Sequence, residues 1–281
     1  MSEKKKVEGS RFLRESKPAL KHLLGILLRK YGYASILAVD SEAKIYSVAA
    51  SGINIGDFGM LCNRGFVIKV YNEGEYAEYS FNKLERDVTE QAQQIIEQIE
   101  ALKKAVPDKL ERIKLGMLED KPLKFSKSTE YEIDPFETGA QNIIDKLTAL
   151  RKKGLEADER MLDCTARMSC QKYSKLFLSG NKDMEQNVLW TDCAMSFLAR
   201  KGNEVKSYFS SASNLGGSEI LESLEADIPH SVEMTVALLD SEPMVPGEYD
   251  CICTPEVTGM IVHEAFGHGV EMDMFAKDRA L

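Results

Sequence analysis

The sequence predicts an α+β protein, and three observations carry that reading. An apolar stripe at helical spacing opens the chain, a run of short β-prone segments separated by turn residues follows, and helix-then-strands recurs in the second half. From Phe12 to Tyr31 the stripe is Leu13, Leu20, Leu23, Leu24, Leu27 and Leu28, and Gly32 marks its end. Ile36–Val39, Ile45–Val48 and Phe66–Tyr71 then read as antiparallel strands, punctuated by Asp40-Ser41-Glu42, Gly52, Gly56, Gly59 and Asn72-Glu73-Gly74. A second amphipathic helix over 84–106 stops before Pro107, closing an N-terminal α+β unit at 10–107.

The charged, weakly periodic stretch 108–135 is expected to be a connection into a second, mixed α+β unit at 108–230. That unit opens with a helix near 140–153, followed by Gly154. Strands are expected at 162–169, 172–178, 188–198 and 204–210, with Ser179-Gly180-Asn181 and Lys201-Gly202-Asn203 as tight turns. The Ser-rich stretch 210–217 reads as flexible, and short helices are expected at 220–224 and 231–239. A third unit, 231–281, contains a turn at Pro246-Gly247-Glu248 and a strand at Tyr249–Cys253. Thr254-Pro255 then caps and opens a helix.

Composition narrows the function classes. Hydrophobic and charged residues make up 43% and 29% of the chain, as in ordinary globular proteins, and a net charge of −9 disfavours a general nucleic-acid binder. Lys4-Lys5-Lys6 reads as a solvated tail. The N-terminus has no signal-peptide core and no apolar run spans a bilayer, so the expected location is cytoplasmic, without a membrane partner. Six scattered cysteines fit reduced thiols, most of them acting as small buried apolar residues.

The chemistry concentrates in His263-Glu264-Ala265-Phe266-Gly267-His268-Gly269-Val270-Glu271. Two imidazoles flank a carboxylate, which is the material of a metal-assisted hydrolysis: His263 and His268 as ligands, Glu264 as general base. The commoner zinc motif spaces its histidines by four, whereas these lie five apart. On a regular helix that spacing turns the second side chain about 140° from the first. The helix must therefore widen into a π-type turn or break, and Gly267 and Gly269 supply backbone freedom for it. Glu271 or Asp273 would orient an imidazole from behind. His22 and His230 read as surface or capping residues, and Cys251-x-Cys253 as one face of a buried strand.

With its approach, Ser241–Tyr249, the segment Gly259–Asp273 resembles the TldD/PmbA family, whose signature is His-Glu-Ala-x-Gly-His-Gly-x-Glu. The likeness is strong from Ser241 to Phe275 and diffuse upstream. It implies a metalloprotease that degrades unstructured peptides inside a closed two-subunit chamber, with His263 and His268 on the metal and Glu264 as base. The chain resembles the signature-bearing, TldD-type subunit, pairing as a homo- or heterodimer with a related subunit. The resemblance also implies that 231–281 begins a C-terminal metalloprotease domain, and that a cysteine beyond Leu281 completes the ligand set. Zinc is the expected ion because histidine nitrogen suits it, although another first-row metal would accept the same ligands.

Two further readings stand beside it. One is a non-catalytic partner or inactive fragment that binds peptide or another subunit. The other is a regulator of DNA-associated proteins that acts on a peptide, not on nucleic acid.

Overall fold

The computed structural model describes residues 4–57, 59, 62–105 and 116–279. Residues 4–105 and 116–241 form one compact unit and 242–279 a second. The boundary expected near 107–108 lies outside the described residues. The first unit holds strands from both sides of it in one sheet, and the second begins about a dozen residues later than the expected 231.

Helix α1 (Arg11–Leu28) starts where Ser10 accepts a hydrogen bond from the Leu13 N–H at 3.2 Å. It is followed by β2 (Tyr33–Ala49), β3 (Gly52–Asp57), β4 (Arg64–Asn72) and β5 (Glu75–Phe81), while β1 (Lys5–Lys6) precedes it. Asp40-Ser41-Glu42 makes no turn, because β2 passes straight through it. Asp40 accepts from Ser10 and from Arg64 at 2.8 Å, and the Ser41 N–H donates to the Asn63 carbonyl, so neighbours satisfy the polar groups within the strand. Asn72-Glu73-Gly74 is a turn, with Glu73 and Gly74 both at positive φ.

Helix α2 (Val88–Ala105) is followed by β6 (Leu123–Ser128) and β7 (Glu130–Tyr131), so part of the expected connection is strand. β6 runs parallel to β9 (Lys182–Lys201), and β7 pairs with β1. α3 spans Ala140–Glu156, with Gly154 inside it instead of beyond its end. A Cβ on Gly154 would sit 2.9 Å from the Cys164 Sγ and 3.0 Å from the Phe197 ring, so glycine lets the helix approach the sheet.

β8 (Met161–Ser179) and β10 (Glu204–Leu215) complete the sheet. β8 merges two expected strands, and β10 absorbs most of the Ser-rich stretch expected to be flexible. Both extensions are held by continuous antiparallel pairing to β9. α4 (Leu221–Ala237) likewise joins the two short helices across Pro229.

The sheet order is β10-β9-β8-β2-β4-β5, with β3 also on β2. Ala34, Ile36 and Ala38 of β2 pack with α1 and α2, whereas Tyr46 and Val48 pack with α3 and α4. All five positions have the same parity along one strand, so both helix pairs cover one face of the sheet. No helix among the described residues is long and apolar enough to cross a membrane.

The second unit contains α5 (Pro255–Val262) and α6 (Met272–Ala276). Tyr249–Cys253 is not a strand, and Cys251, Ile252 and Cys253 are exposed, contrary to the expected buried strand. An alternating pattern needs a partner to become a ladder, and these residues pair with none of the strands among the described residues. Of the six thiols, Cys164, Cys170 and Cys193 are buried as expected; Cys62 is exposed, like Cys251 and Cys253.

Candidate metal centre

Local terms shape the segment that carries the histidines. Thr254 is extended, as a residue before proline should be, and Pro255 occupies the first helical turn. The Glu256 carboxyl is held below its ordinary pKa by its own backbone N–H and by the Thr254 hydroxyl. From there α5 runs without interruption into a π-turn at His263–Gly267, where the His268 N–H donates to the His263 carbonyl five residues back. A short 3₁₀ turn, His268–Val270, leads to the extended Glu271.

The widened turn solves the spacing problem. The two imidazole centroids lie 4.6 Å apart with their planes at 78°. One donor atom each from His263, Glu264 and His268 lies within 4.8 Å of the others. Glu264 therefore joins the pair although it is the chain neighbour of His263; on a regular helix adjacent side chains diverge by about 100°. Its Oε2 stands 3.8 Å from the His268 Nε2.

Glu271 lies on the other side of that ring, its Oε1 2.8 Å from Nδ1. This contact raises the His268 pKa, first through the hydrogen bond and then through the carboxylate charge. It also places the neutral tautomer's proton on Nδ1 and leaves the Nε2 lone pair facing Glu264 and His263. Asp273 is elsewhere engaged, paired with Lys277 at 2.9 Å. His22 faces Thr89 at 3.2 Å and His230 meets Tyr208 edge-on at 6.2 Å, so neither belongs to the cluster. The thiols of Cys251 and Cys253 do not belong to it either.

The glycines act differently from the sequence expectation. Gly267 has ordinary helical angles, φ −56° and ψ −51°, and Gly269 is not among the residues with positive φ. The turn widens by changing its hydrogen-bond register, without any conformation reserved for glycine. What the residues offer chemically is two imidazole nitrogens and a carboxylate oxygen converging on one exposed spot, a donor set suited to zinc and its first-row neighbours.

No family model matches the chain. A curated protein of Methanothermobacter thermautotrophicus named metalloprotease is 34% identical over 82 residues, which cover 28% of this chain and 18% of that protein. Three crystal structures share the architecture. A candidate modulator of DNA gyrase from Bacteroides thetaiotaomicron aligns with a TM-score of 0.62 at 17% identity, covering 91% of this chain and 57% of its own. Another from Thermotoga maritima gives 0.61 at 16%, covering 82% and 50%. TldE from Thermococcus kodakarensis gives 0.54 at 16%, covering 79% and 47%.

The chain has the TldD/TldE fold. At these identities the likeness is one of fold. The chain spans about half the length of the solved TldD/TldE-fold structures it matches and less than a fifth of the curated relative. A shared fold does not specify chemistry, which has to be argued from the side chains at the π-turn.

Proposed function

We propose that this chain belongs to a zinc-dependent metalloprotease subunit of the TldD type that cleaves unstructured peptides. One observation carries the reading: the π-turn at His263–Gly267 brings His263 beside Glu264 and His268, from which a regular helix would turn it away. A zinc ion held by His263 and His268 would polarise a peptide carbonyl and lower the pKa of a water. Glu264, beside both imidazoles, would serve as the general base for a water at that site and as the acid for the leaving amine. Glu271 fixes the His268 ring and its tautomer through the 2.8 Å contact. The name of the curated relative supports the reaction class, and the fold supports the assignment to TldD-like proteins.

The partners in this reading are unstructured peptides and a related subunit, in a homo- or heterodimer. Extended peptide is a fitting substrate for a protein whose β10 is an edge strand, because a free edge offers main-chain hydrogen bonds with little sequence preference. A second reading is an inactive fragment or non-catalytic partner. The donor set favours it, since catalytic zinc usually has three protein ligands and the cluster supplies two histidines.

The deciding experiment is hydrolysis of a fluorogenic unstructured peptide by the full-length protein with zinc, after chelation and after zinc is restored. Loss on chelation, recovery on restoration and loss in a folded Glu264→Gln variant are expected. Wild-type rates in Glu264→Gln would remove Glu264 as the base. Rates indifferent to chelation would remove the metalloprotease reading.

A further inference from the structure

We propose that the groove between α3 and α4 binds a small zwitterion of the α-amino-acid class with an apolar side chain. Lys146 meets its carboxylate, Glu222 its ammonium, and the Ser218 hydroxyl makes a third contact. The site lies within the first unit and does not depend on the metal-dependent reading above.

Helix periodicity builds the walls. Lys146, Leu150 and Lys153 fall on one stripe of α3, and Leu221, Glu222 and Glu225 on one stripe of α4. Between them is a cavity of about 350 Å³, at the small end of ligand clefts, which run from roughly 300 to 1,000 Å³. That room suits one small molecule. Leu150 and Leu221 are buried and give the cavity an apolar floor for a hydrocarbon side chain.

Charge selects the ligand. Two lysines stand against two glutamates, so the lining carries no net charge although the chain as a whole carries −9. Lys153 and Glu225 satisfy each other at 3.1 Å. Lys146 and Glu222 form no ion pair or hydrogen bond with any described residue, each other included. An anion alone would be repelled by Glu222, and a cation alone by Lys146. A molecule that carries both charges complements both walls.

Ser218 is the independent observation. It lines the same cavity, is 1% exposed, and its Oγ has no hydrogen-bond partner among the described residues. Its backbone is pinned, because its N–H donates to the Ile133 carbonyl at 3.0 Å and a Cβ on the adjacent Gly217 would collide with that same carbonyl. Only the hydroxyl is spare, and it turns about χ1. Buried hydroxyls are ordinarily bonded, and one left alone gives up its hydration without return. The ligand's carboxylate supplies the acceptor.

The test uses the 281-residue chain with no metal added and L-leucine as the probe. Calorimetric titration should show one saturable equivalent. 4-Methylpentanoate and 3-methylbutylamine, which each lack one of the two charges, should bind at least about tenfold more weakly. Lys146→Met and Glu222→Gln change exposed side chains, and each should weaken leucine binding by about 10–100-fold, with far-UV circular dichroism as the folding control. Ser218→Ala should also weaken binding, yet leave the urea midpoint of the free protein no lower than wild type, since it removes a hydroxyl that the free protein leaves unpartnered. The methyl resonances of Leu150 and Leu221 should move during the titration. No saturable leucine binding at millimolar concentration, equal binding of either singly charged analogue, or leucine binding unchanged by both Lys146→Met and Glu222→Gln each overturns the proposal. Unchanged binding to Ser218→Ala overturns the hydroxyl's part in it. If wild type sediments as a dimer that Lys146→Met dissociates, a second copy fills the groove and the proposal falls as well.

Discussion

Residues 4–241 and 242–279 use the same kinds of apolar side chain to opposite ends. In the first unit Leu20, Leu23, Leu27, Ile36, Ile68, Ile99, Leu147 and Phe197 are fully buried between helices and sheet. In the second, none of the residues with an assigned burial is buried, and Met244, Ile252, Phe266 and Phe275 are 64–102% exposed. Burial contributes about 25 cal/mol per Å² of apolar surface, so the first unit is stabilised by its own packing and the second has no such source within itself. What shapes the His263–Glu271 segment is local: Pro255 at the helix start, the i to i−5 bond of the π-turn and the His268 to Glu271 contact. A site built from local terms can be legible in a short stretch of sequence, whereas a core cannot.

The sharpest way to break this comparison is thiol chemistry. Burial pushes Cys164, Cys170 and Cys193 up to about 12, whereas Cys62, Cys251 and Cys253 are exposed. Near pH 8 a thiol with a pKa of 12 is only about one part in 10⁴ thiolate, the reactive form. Titration of the native chain with a disulfide reagent should therefore modify three cysteines quickly and the other three at least a thousandfold more slowly, until denaturant is added. Six fast thiols in native buffer would mean that the first unit's core is not closed.

Core truncation comes next in size. Phe197→Ala should cost about 3–5 kcal/mol in urea unfolding, because a fully buried ring leaves a cavity between β9 and α3. Ile252→Ala should change stability by less than about 0.5 kcal/mol. Equal costs would show that the second unit has a core of its own.

The two regions also differ in what the sequence alone discloses. The His-Glu motif and the need for a widened turn follow from one spacing, five residues between His263 and His268, and helix geometry converts that number into a π-turn without any tertiary information. The glycine explanation failed because it invoked freedom the turn does not use: Gly267 keeps helical angles. Glu264 and His268 are four residues apart and share a face even on a regular helix; what the widened turn adds is His263, which a regular helix would turn away from both.

In the first unit the helices were legible from their stripes, but strand lengths were not. Asp40-Ser41-Glu42 looks like a turn until Ser10, Asn63 and Arg64, distant in sequence, supply partners. The Ser-rich 210–217 looks flexible until β9 provides a ladder. Tyr249–Cys253 is the reverse case, a strand pattern with no ladder to join among the described residues.

Glycine substitutions sharpen the contrast at a smaller scale. Gly154→Ala should destabilise by about 1–3 kcal/mol, since its new methyl would crowd Cys164 and Phe197. Gly269→Ala meets nothing within 4 Å and should stay within about 0.5 kcal/mol. Urea midpoints of the two variants measure the difference directly, and a large loss at Gly269 would reveal packing around the His263–Glu271 segment.

The smallest effect is electrostatic and confined to the first unit. The Arg160 side chain, and then its backbone N–H, hold the Asp158 carboxyl down to about 2, below its ordinary 3.8. Because the folded value is the lower one, the pair contributes its full stability above about pH 4 and loses it as pH falls towards 2. Both side chains are partly exposed, at 23% and 38%, so solvent screens the contribution and it remains small. Wild type and Asp158→Asn should therefore differ in urea midpoint near neutrality, and the gap should narrow steadily between about pH 4 and pH 2. A gap that persists unchanged at pH 2 would show that the Asp158 charge is not what separates the two proteins.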